Sequence, residues 1–318
     1  MKTIFILNPE AGKGTYIKPL TEKIQRFAQQ QNTDAEWYLT RGAGDATRFV
    51  KAYCEQHGSA RFIACGGDGT FNEVVNGVMA HPDSEAGIIP VGTGNDFCRN
   101  FPKNTAFFDL DLQTVTDSIP CDVIRYLGVW NGQEREGYCA NMFNIGFDCN
   151  VADKVLDIKK KTFFGGSMAY FVSILWNLIQ KKTTELLVKT DGKEYHRGKL
   201  LLTSIANGCY CGGGIKSNPW ASLTDGRINV NIIKDISRFH FVSLLPSYMK
   251  GTHLTKKGIE RVIQSIHCKR LTVTPVSGEM RLCVDGEVIT AGTTSFEIIP
   301  KKLRFVLPPV RRQEAATI

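Results

Sequence analysis

Four short apolar runs in the first 120 residues predict buried β-strands, and amphipathic stretches between them predict helices. The runs are Thr3–Leu7, Glu36–Thr40, Phe62–Cys65 and Ala86–Val91. After the third run, Phe71, Val74, Val75 and Val78 recur at helical spacing. Strands that alternate with helices are typical of a mostly parallel sheet covered by helices on both faces. The pattern therefore predicts an α/β domain over residues 1–122.

From residue 123 to residue 299, short β-branched segments separated by turn residues predict a second, β-rich domain. Apolar residues at helical spacing interrupt it at Met168–Ile179 and at 239–249. A membrane span needs roughly 20 continuous apolar residues, and glycine, serine and asparagine interrupt the apolar region between residues 162 and 180 that contains the first of these stretches. We therefore expect Met168–Ile179 to pack against the β-rich domain, with contact to lipid as the alternative.

The composition is that of an ordinary globular protein. Hydrophobic residues make up 42% of the 318 positions, charged residues make up 22%, and the formal net charge is +8. That charge favours phosphates or an anionic membrane surface, whereas the lack of a basic stretch interleaved with aromatic residues argues against nucleic acid. The ten cysteines form no C-x-x-C pair, which argues against a zinc site or a disulfide framework and favours a cytoplasmic location. The apolar run after Met1 is too short for a signal peptide.

A glycine-rich loop follows each predicted strand of the first domain, and the third loop contains an acid inside Gly66-Gly67-Asp68-Gly69-Thr70. Glycines let a polyanion approach backbone N–H groups, and a following helix N-terminus favours negative charge. The segment fits neither the P-loop nor the dinucleotide fingerprint, so it predicts a phosphate site of another kind. Thr70 and Glu73 have the spacing of a capping box, with Thr70 as the N-cap. Ligands bind at the carboxyl ends of such strands, where the four loops are expected to converge.

Four motifs together make the chain resemble the bacterial diacylglycerol-kinase-like lipid kinases, a group related to diacylglycerol, sphingosine and ceramide kinases. The motifs are Asn8-Pro9-x-Ala11-Gly12-Lys13-Gly14, the GGDGT segment at 66–70, Gly92-Thr93-Gly94-Asn95-Asp96-Phe97 and Asp285-Gly286-Glu287. The resemblance runs from about residue 3 to residue 307. It implies a three-layer, Rossmann-like α/β domain of the NAD-kinase and phosphofructokinase type, followed by a β-sandwich domain. It also implies that a strand within residues 300–318 returns to the first domain.

The resemblance further implies a set of ATP-binding residues on the glycine-rich loops. These are Asn8, Pro9, Ala11, Gly12, Thr40, Gly66, Gly67, Asp68, Gly69, Thr70, Asn72 and Thr93. The segment from residue 66 to residue 72 resembles the phosphate cradle itself.

Three carboxylates, those of Asp68, Asp96 and Asp122, each follow an apolar run and are expected at one end of the sheet. Carboxylates beside a triphosphate repel it unless a cation lies between them, and Mg²⁺ prefers a few carboxylates, waters and phosphates. The resemblance assigns the three to an acidic, water-linked magnesium network, in which Asp68 also has a catalytic role.

Asp285 and Glu287 flank Gly286 in a predicted extended segment, so the strand period of two places both carboxylates on one side. The resemblance makes Glu287 the proton acceptor and Asp285 its neighbour. The residues alone leave open which of the two takes the proton, and a plain hairpin turn is the alternative.

The segment Trp220–Arg227 resembles the part of the family that holds a second, structural Mg²⁺. Asp225 carries over as the side-chain ligand, and Ser222 and Arg227 carry over as carbonyl donors. Asp225-Gly226 is also an ordinary turn sequence, which is the alternative interpretation.

The function that these features predict is magnesium-dependent transfer of phosphate from ATP to a lipid hydroxyl, with diacylglycerol as the leading acceptor. The alternatives are an NAD-kinase-like activity on a soluble nucleotide and a catalytically silent nucleotide-binding regulator. A lipid acceptor implies peripheral membrane association, for which Lys159–Lys161, Phe163-Phe164 and Lys181-Lys182 are candidates. No nucleic acid partner is expected, and a homodimer is left open.

Overall fold

The computed structural model describes residues 1–31, 35–146, 183–284 and 287–310. The chain forms two compact units. The first contains Met1–Cys121 and Lys302–Ile318, and the second contains Asp122–Lys301. The predicted stretch Met168–Ile179 and the lysines at 159–161 and 181–182 lie outside the described residues.

Strands and helices alternate along the first unit. The strands are β1 (Thr3–Leu7), β2 (Ala35–Leu39), β3 (Arg61–Gly66) and β4 (Glu85–Pro90), and the helices are α1 (Ile17–Gln31), α2 (Asp45–His57), α3 (Asp68–Val78) and α4 (Leu110–Val115). All pairs among these strands are parallel, in the spatial order β2-β1-β3-β4. Their apolar side chains form a core that includes Phe5, Ile24, Ile63 and Ile89. The strand register places Leu7 opposite Cys65 and Cys65 opposite Ile89, so the carboxyl ends of the strands lie along one edge.

The second unit is mostly antiparallel. Its strands are β5 (Ser118–Trp130), β6 (Gln133–Cys139), β7 (Met142–Gly146), β8 (Thr184–Thr190), β9 (Lys193–Ala206), β10 (Ile228–Lys234), β11 (Ile263–Cys268), β12 (Arg270–Pro275), β13 (Met280–Val284) and β14 (Glu287–Val306). The first residues of β5 and the last residues of β14 belong to the first unit. Strand β9 pairs antiparallel with β7, β8 and β10. One apolar core, which includes Phe143, Ile205 and Phe296, fills the interior between these strands.

Helix α5 (Arg238–Lys250) of the second unit covers the other face of β7, β9 and β10. Its buried residues Phe241, Leu244 and Tyr248 pack in one cluster with Leu202 and Ile233. The helix begins after Ser237, whose side chain accepts a hydrogen bond from the N–H of His240, and it ends at Gly251 with a left-handed backbone. The cap residues explain both ends.

The last strand, β14, pairs antiparallel with β12 and β13 in the second unit, and its final residues return to the first. There Phe305 pairs in parallel with Ala86 of β4, which adds a fifth strand to the parallel sheet. The predicted fold class, an α/β unit followed by a β-rich unit, is confirmed. Among the described residues, no helix is both long and apolar enough to cross a bilayer.

Candidate active site

Backbone hydrogen bonds hold the loops that follow β1, β3 and β4 side by side at the carboxyl edge of the parallel sheet. The N–H of Asn8 donates to the carbonyl of Cys65 at 3.1 Å, and the N–H of Val91 donates to the carbonyl of Gly66 at 3.0 Å. These bonds extend the sheet register by one residue past the strand ends. Three sequence-predicted loops therefore lie next to one another.

Glycines allow close approach both between the loops after β3 and β4 and within the GGDGT segment. A Cβ on Gly92 would collide with the Cα of Gly67 and lie 2.9 Å from its nitrogen. A Cβ on Gly66 would collide with the side chain of Thr70. The consecutive glycines of the motif are thus required by close approach of backbone and side chain, whether or not a ligand is bound.

The predicted capping box on α3 is wrong. The N-cap is Gly67, the helix begins at Asp68, and no side chain caps it. Thr70 lies inside the first turn, where its Oγ1 accepts a hydrogen bond from Nδ2 of Asn8 at 2.9 Å. The first N–H groups of a helix have no partner within the helix, so this end keeps donors that an anion can use.

Glu73, the other half of the predicted box, caps a neighbouring helix instead. Its carboxylate accepts hydrogen bonds from the N–H of Gly44 at 2.8 Å and the N–H of Ala46 at 3.0 Å, both at the N-terminus of α2. The hydroxyl of Thr47 also donates to the carbonyl of Glu73 at 2.8 Å. A carboxylate at a helix N-terminus is favourable, so Glu73 fixes α2 against α3. Sequence spacing could not show that Glu73 caps α2 and not its own helix, α3.

The carboxylates of Asp68 and Asp96 lie on either side of Gly94. A Cβ built on Gly94 would be 2.8 Å from Oδ2 of Asp68 and 3.5 Å from Oδ2 of Asp96. Oδ1 of Asp68 accepts a hydrogen bond from the N–H of Phe97 at 3.1 Å. Oδ1 of Asp96, which is buried, lies 3.4 Å from Nε of Arg99. Each acid is therefore held at one oxygen and presents the other toward the same glycine.

The space beside the first turn of α3 is open at Gly69. A Cβ on this residue would meet no heavy atom of the described chain within 4 Å. Unlike Gly66, Gly69 is not required by packing. Asn72 and Thr93 were also predicted to contact ATP. Asn72 lies on the next turn of α3 and Thr93 is exposed in the loop after β4.

The remaining predicted nucleotide residues lie after β1 and β2. The N–H of Ala11 donates to the carbonyl of Asn8 at 3.1 Å, so the segment that includes Pro9 turns back on itself. Gly12 has a φ of +58°, and a Cβ on it would lie 2.6 Å from the carbonyl oxygen of Val91. Thr40 is buried directly after β2.

Asn95 organises the loop after β4, a role that the sequence interpretation missed. It has a φ of 55°, a left-handed conformation that asparagine tolerates better than most residues. Its Nδ2 donates to the carbonyls of Pro90 and Gly92, and its Oδ1 accepts from the N–H of Gly92 at 3.1 Å. The available sequence signal was the asparagine directly after Thr93-Gly94, since asparagine is common in turns with a left-handed backbone.

Asp68 and Asp96, which we call the acid pair, also affect the pKa of a neighbouring thiol. Burial raises the pKa of Cys98 well above its usual value, and the negative charges of Asp68 and Asp96 add to the rise. A thiol with a raised pKa is a poor nucleophile. Cys98 is therefore expected to be inert, and the field beside the acid pair is negative.

Asp122 was predicted to follow an apolar run at the same end of the sheet as Asp68 and Asp96, but it belongs to the second unit, lies inside β5 and is fully buried. Its Oδ2 accepts from the N–H of Gly226 at 2.7 Å and its Oδ1 accepts from the N–H of Lys301 at 2.8 Å. Both donors have left-handed backbones, with φ of 69° at Gly226 and 55° at Lys301. The carboxylate thus fixes two tight turns of the second unit. Its part in a magnesium network stays a prediction.

The segment predicted to hold a second metal is a turn, and the carboxylate of Asp122 fixes it by accepting the hydrogen bond from Gly226. Asp225 is exposed, and its Oδ1 accepts from the N–H of Arg227 at 3.0 Å. Oγ of Ser222 accepts from the N–H of Thr224 at 3.4 Å. Both contacts are those of an ordinary turn. Metal binding by Asp225, Ser222 and Arg227 stays a prediction.

Buried amide side chains support this turn, and the sequence interpretation did not assign them a role. Nδ2 of Asn207 donates to the carbonyl of Asp122 at 2.8 Å. Oδ1 of Asn218 accepts from Oγ of Ser204 at 2.6 Å, and its Nδ2 donates to Oδ1 of Asn229 at 2.8 Å. Asn229 is a polar residue within the apolar strand β10, which was the available signal, whereas Asn207 follows β9 and Asn218 lies in a loop, where no such signal was available.

Glu287 is exposed and is the first residue of β14, opposite Val284 of β13. Burial raises the pKa of Tyr126 to about 12, and the charge of Glu287 is one of the smaller contributions. Asp285 and Gly286 lie outside the described residues. The assignment of the proton acceptor therefore stays a prediction.

The residues of the first unit fit a magnesium ion that is bound jointly with phosphate. Within the four described ranges, no group of three His, Cys, Asp or Glu side chains gathers in the geometry of a metal site. Mg²⁺ does not require such a cage, since it commonly uses one or two carboxylates together with waters and substrate phosphates. The carboxylates of Asp68 and Asp96 beside Gly94 match the carboxylate part of that donor set.

The parallel sheet, its contiguous strand-end loops and its acid pair define the first unit as an α/β unit suited to phosphate, followed in the chain by an antiparallel β unit. A family model described as the diacylglycerol kinase catalytic domain matches residues 2–125. A second, described as the YegS C-terminal NAD kinase beta sandwich-like domain, matches residues 141–307.

Individual relatives agree with these matches. The chain is 29% identical over 315 residues to the diacylglycerol kinase of Bacillus subtilis (strain 168), which covers 97% of both chains. It is 29% identical over 285 residues to that of Staphylococcus carnosus (strain TM300), which covers 89% of this chain and 87% of the relative. A crystal structure of a diacylglycerol kinase from Bacillus anthracis str. Sterne has the same fold, with a TM-score of 0.69, 23% identity and 98% of both chains covered. The chain therefore belongs to the diacylglycerol-kinase-like lipid kinase family.

Proposed function

We propose that this protein transfers the γ-phosphate of ATP to a lipid hydroxyl, with diacylglycerol as the leading acceptor. The observation that carries the proposal is the placement of Asp68 and Asp96 around Gly94, beside an α3 N-terminus without a side-chain cap. Donors for phosphate and acids for its cation then lie at one edge of the sheet. Membership of a lipid kinase family supports both the reaction and the class of acceptor.

The site residues of the first unit have separate roles in this reaction. The first-turn N–H groups of α3 and the loop at 8–12 bind the nucleotide phosphates. The carboxylates of Asp68 and Asp96 hold the cation. A bound Mg²⁺ supplies charge neutralisation on the transferring phosphate. Phosphoryl transfer needs little covalent help, so positioning and charge supply most of the rate enhancement.

Removal of the hydroxyl proton is assigned to Glu287, which is the role that the family resemblance implies. An exposed carboxylate can accept a proton at one oxygen and release it to water. Glu287→Gln is expected to lower kcat about 10²–10⁴-fold, because the amide cannot accept the proton. Glu279→Gln, at another exposed glutamate of the second unit, is the matched control and should retain wild-type kcat.

The proposal is tested by following labelled phosphate from ATP into a panel of diacylglycerol, ceramide, sphingosine and NAD. Label in a lipid supports the proposal and names the acceptor. Label in NAD alone would overturn it in favour of a soluble nucleotide as the acceptor. Binding of ATP without transfer to any acceptor would favour a nucleotide-binding regulator. Equal rates for wild type and Glu287→Gln would remove Glu287 from the mechanism.

A further inference from the structure

One stripe on the exposed side of α5 is apolar. Phe239 is 90% exposed, Val242 is 47% exposed and Met249 is 38% exposed. Together with Pro246, which is also exposed, they recur at i, i+3, i+7 and i+10 on one side of the helix. The opposite side is buried against the sheet. A surface helix ordinarily carries polar residues on its outer face, so this apolar stripe needs an explanation.

Basic side chains lie on the loop that follows α5, across a cavity from His240 and Ser243 of the helix. A cavity of about 350 Å³ lies between α5 and the following loop. Lys256, Lys257 and Arg261 line it from the loop, and His240, Ser243 and Leu244 line it from the helix. The two lysines and the arginine are exposed. Among the described residues, none of these three cations forms an ion pair.

The charge of this region has a definite sign. Between residues 235 and 261 the sequence contains five Lys or Arg residues and two acids, Asp235 and Glu260, a formal excess of three positive charges. An exposed apolar stripe on α5, with exposed cations on the loop that follows the helix, matches the boundary of an anionic bilayer, where apolar side chains enter the acyl region and cations meet headgroups. It does not suit self-association about a two-fold axis, because like charges would face each other.

We propose that the face formed by Phe239, Val242, Pro246 and Met249 of α5 with Lys256, Lys257 and Arg261 docks the protein on anionic phospholipid bilayers. The inference rests on the proposed function for its purpose, since a kinase with a lipid acceptor must reach a membrane. Its evidence is independent of the acid pair and lies within the second unit. The surface includes none of the lysines at 159–161, which lie outside the described residues.

The test is flotation of the full chain with vesicles. Wild type should bind phosphatidylcholine vesicles that contain about one third phosphatidylglycerol, bind pure phosphatidylcholine at least about tenfold more weakly, and release as salt rises. Lys256→Gln/Lys257→Gln should weaken binding to the anionic vesicles roughly tenfold or more, since each cation near such a surface contributes about fivefold. The matched control Lys193→Gln/Lys199→Gln removes two exposed lysines from β9 and should bind within about twofold of wild type.

The apolar half of the surface is tested separately. Phe239→Ser should weaken binding to the same vesicles by roughly tenfold, because a buried aromatic side chain contributes on that scale. Phe108→Ser, at a phenylalanine that is 54% exposed in the first unit, is its control and should bind as wild type does. Wild-type binding by both the double lysine variant and Phe239→Ser would overturn the proposal. So would a dimer in solution that Phe239→Ser dissociates, because the occupant would then be a second copy.

A kinase assay separates this proposal from the proposed function. Diacylglycerol dispersed in neutral detergent micelles needs no anionic bilayer, so the lysine variant should phosphorylate it at the wild-type rate and lose activity only on anionic vesicles. Loss of activity in micelles as well would overturn a docking role for the lysines. Wild-type chain that binds vesicles but phosphorylates no lipid in micelles would contradict the proposed function and leave the docking surface supported.

Discussion

Two acids with similar sequence surroundings have opposite environments. Asp68 and Asp122 each come after apolar residues near a strand, and both were predicted to face the cation. Asp68 has one oxygen held by the N–H of Phe97, and the other faces Gly94 and Asp96. Asp122 is fully buried, and each of its oxygens accepts a backbone N–H.

Asp68 therefore keeps an oxygen that is available to a ligand, whereas both oxygens of Asp122 hold the backbone. A buried carboxylate that accepts a backbone hydrogen bond at each oxygen is costly to remove, because the donors lose their partner. A carboxylate beside open space contributes little to folding, so its charge can be used for a cation and phosphate. The four experiments below test this contrast, beginning with the largest expected effect.

Asp122→Ala should destabilise the protein by about 3–5 kcal/mol, because two backbone hydrogen bonds to a fully buried charged acceptor are lost. The loss also releases the left-handed turns at Gly226 and Lys301. Urea denaturation measures the free energy of unfolding. Asp117→Ala, at an exposed acid, is the control and should change it by less than about 0.5 kcal/mol. Unchanged stability with lost activity would show that Asp122 is a site residue after all.

His253 extends the contrast to pH, because it is a fully buried titratable side chain of the second unit. Burial lowers its pKa to about 4, below its ordinary value of 6.5, and the charge of Lys256 adds a small contribution. The unfolded chain therefore binds a proton between these pH values that the folded chain does not. Stability should fall by about 3 kcal/mol as the pH falls from 6.5 to 4.

The measurement is the urea denaturation of wild type and His253→Gln across this range. The glutamine variant should lack the His253 share of the acid sensitivity, whereas His57→Gln, at an exposed histidine, should keep it. Parallel pH profiles for wild type and His253→Gln would contradict the lowered pKa.

Asp68→Asn should lower kcat a hundredfold or more, which is about 2.7 kcal/mol of transition-state stabilisation. Its stability should stay near wild type, because an asparagine oxygen can still accept from the N–H of Phe97. Steady-state kinetics and thermal denaturation are measured together, with Asp83→Asn as an exposed control. Wild-type turnover with a lowered Tm would make Asp68 a structural residue like Asp122.

Gly69→Ala should have the smallest effect and opposite signs in its two measurements. Alanine is the better helix former, and its Cβ meets no described atom within 4 Å, so the fold should gain about 0.5–1 kcal/mol. If phosphate occupies that space, the KM for ATP should rise roughly tenfold, or about 1.4 kcal/mol. A stabilised variant with unchanged KM would show that the nucleotide lies elsewhere.

Local patterns predicted the elements of the chain, and in places they failed for a physical reason. The capping-box spacing of Thr70 and Glu73 is a property of one helix, but the carboxylate of Glu73 reaches the N–H groups of Gly44 and Ala46 on another. Asp122 had the same sequence signal as Asp68, yet its donors come from Gly226 and Lys301, far along the chain. Local sequence does not contain the position of a distant donor.

The sequence by itself determined the order of strands and helices, the glycine-rich turns and the family, because hydrophobic period and turn chemistry act over a few residues. Tertiary structure alone decided that Asp68 and Asp96 meet at Gly94, that Asp122 is enclosed, and that α5 leaves Phe239 exposed. Burial and hydrogen-bond partners depend on segments that are remote in sequence and become neighbours only when the strands pair. An aspartate can therefore be available to a ligand in one unit and fix the backbone in the other.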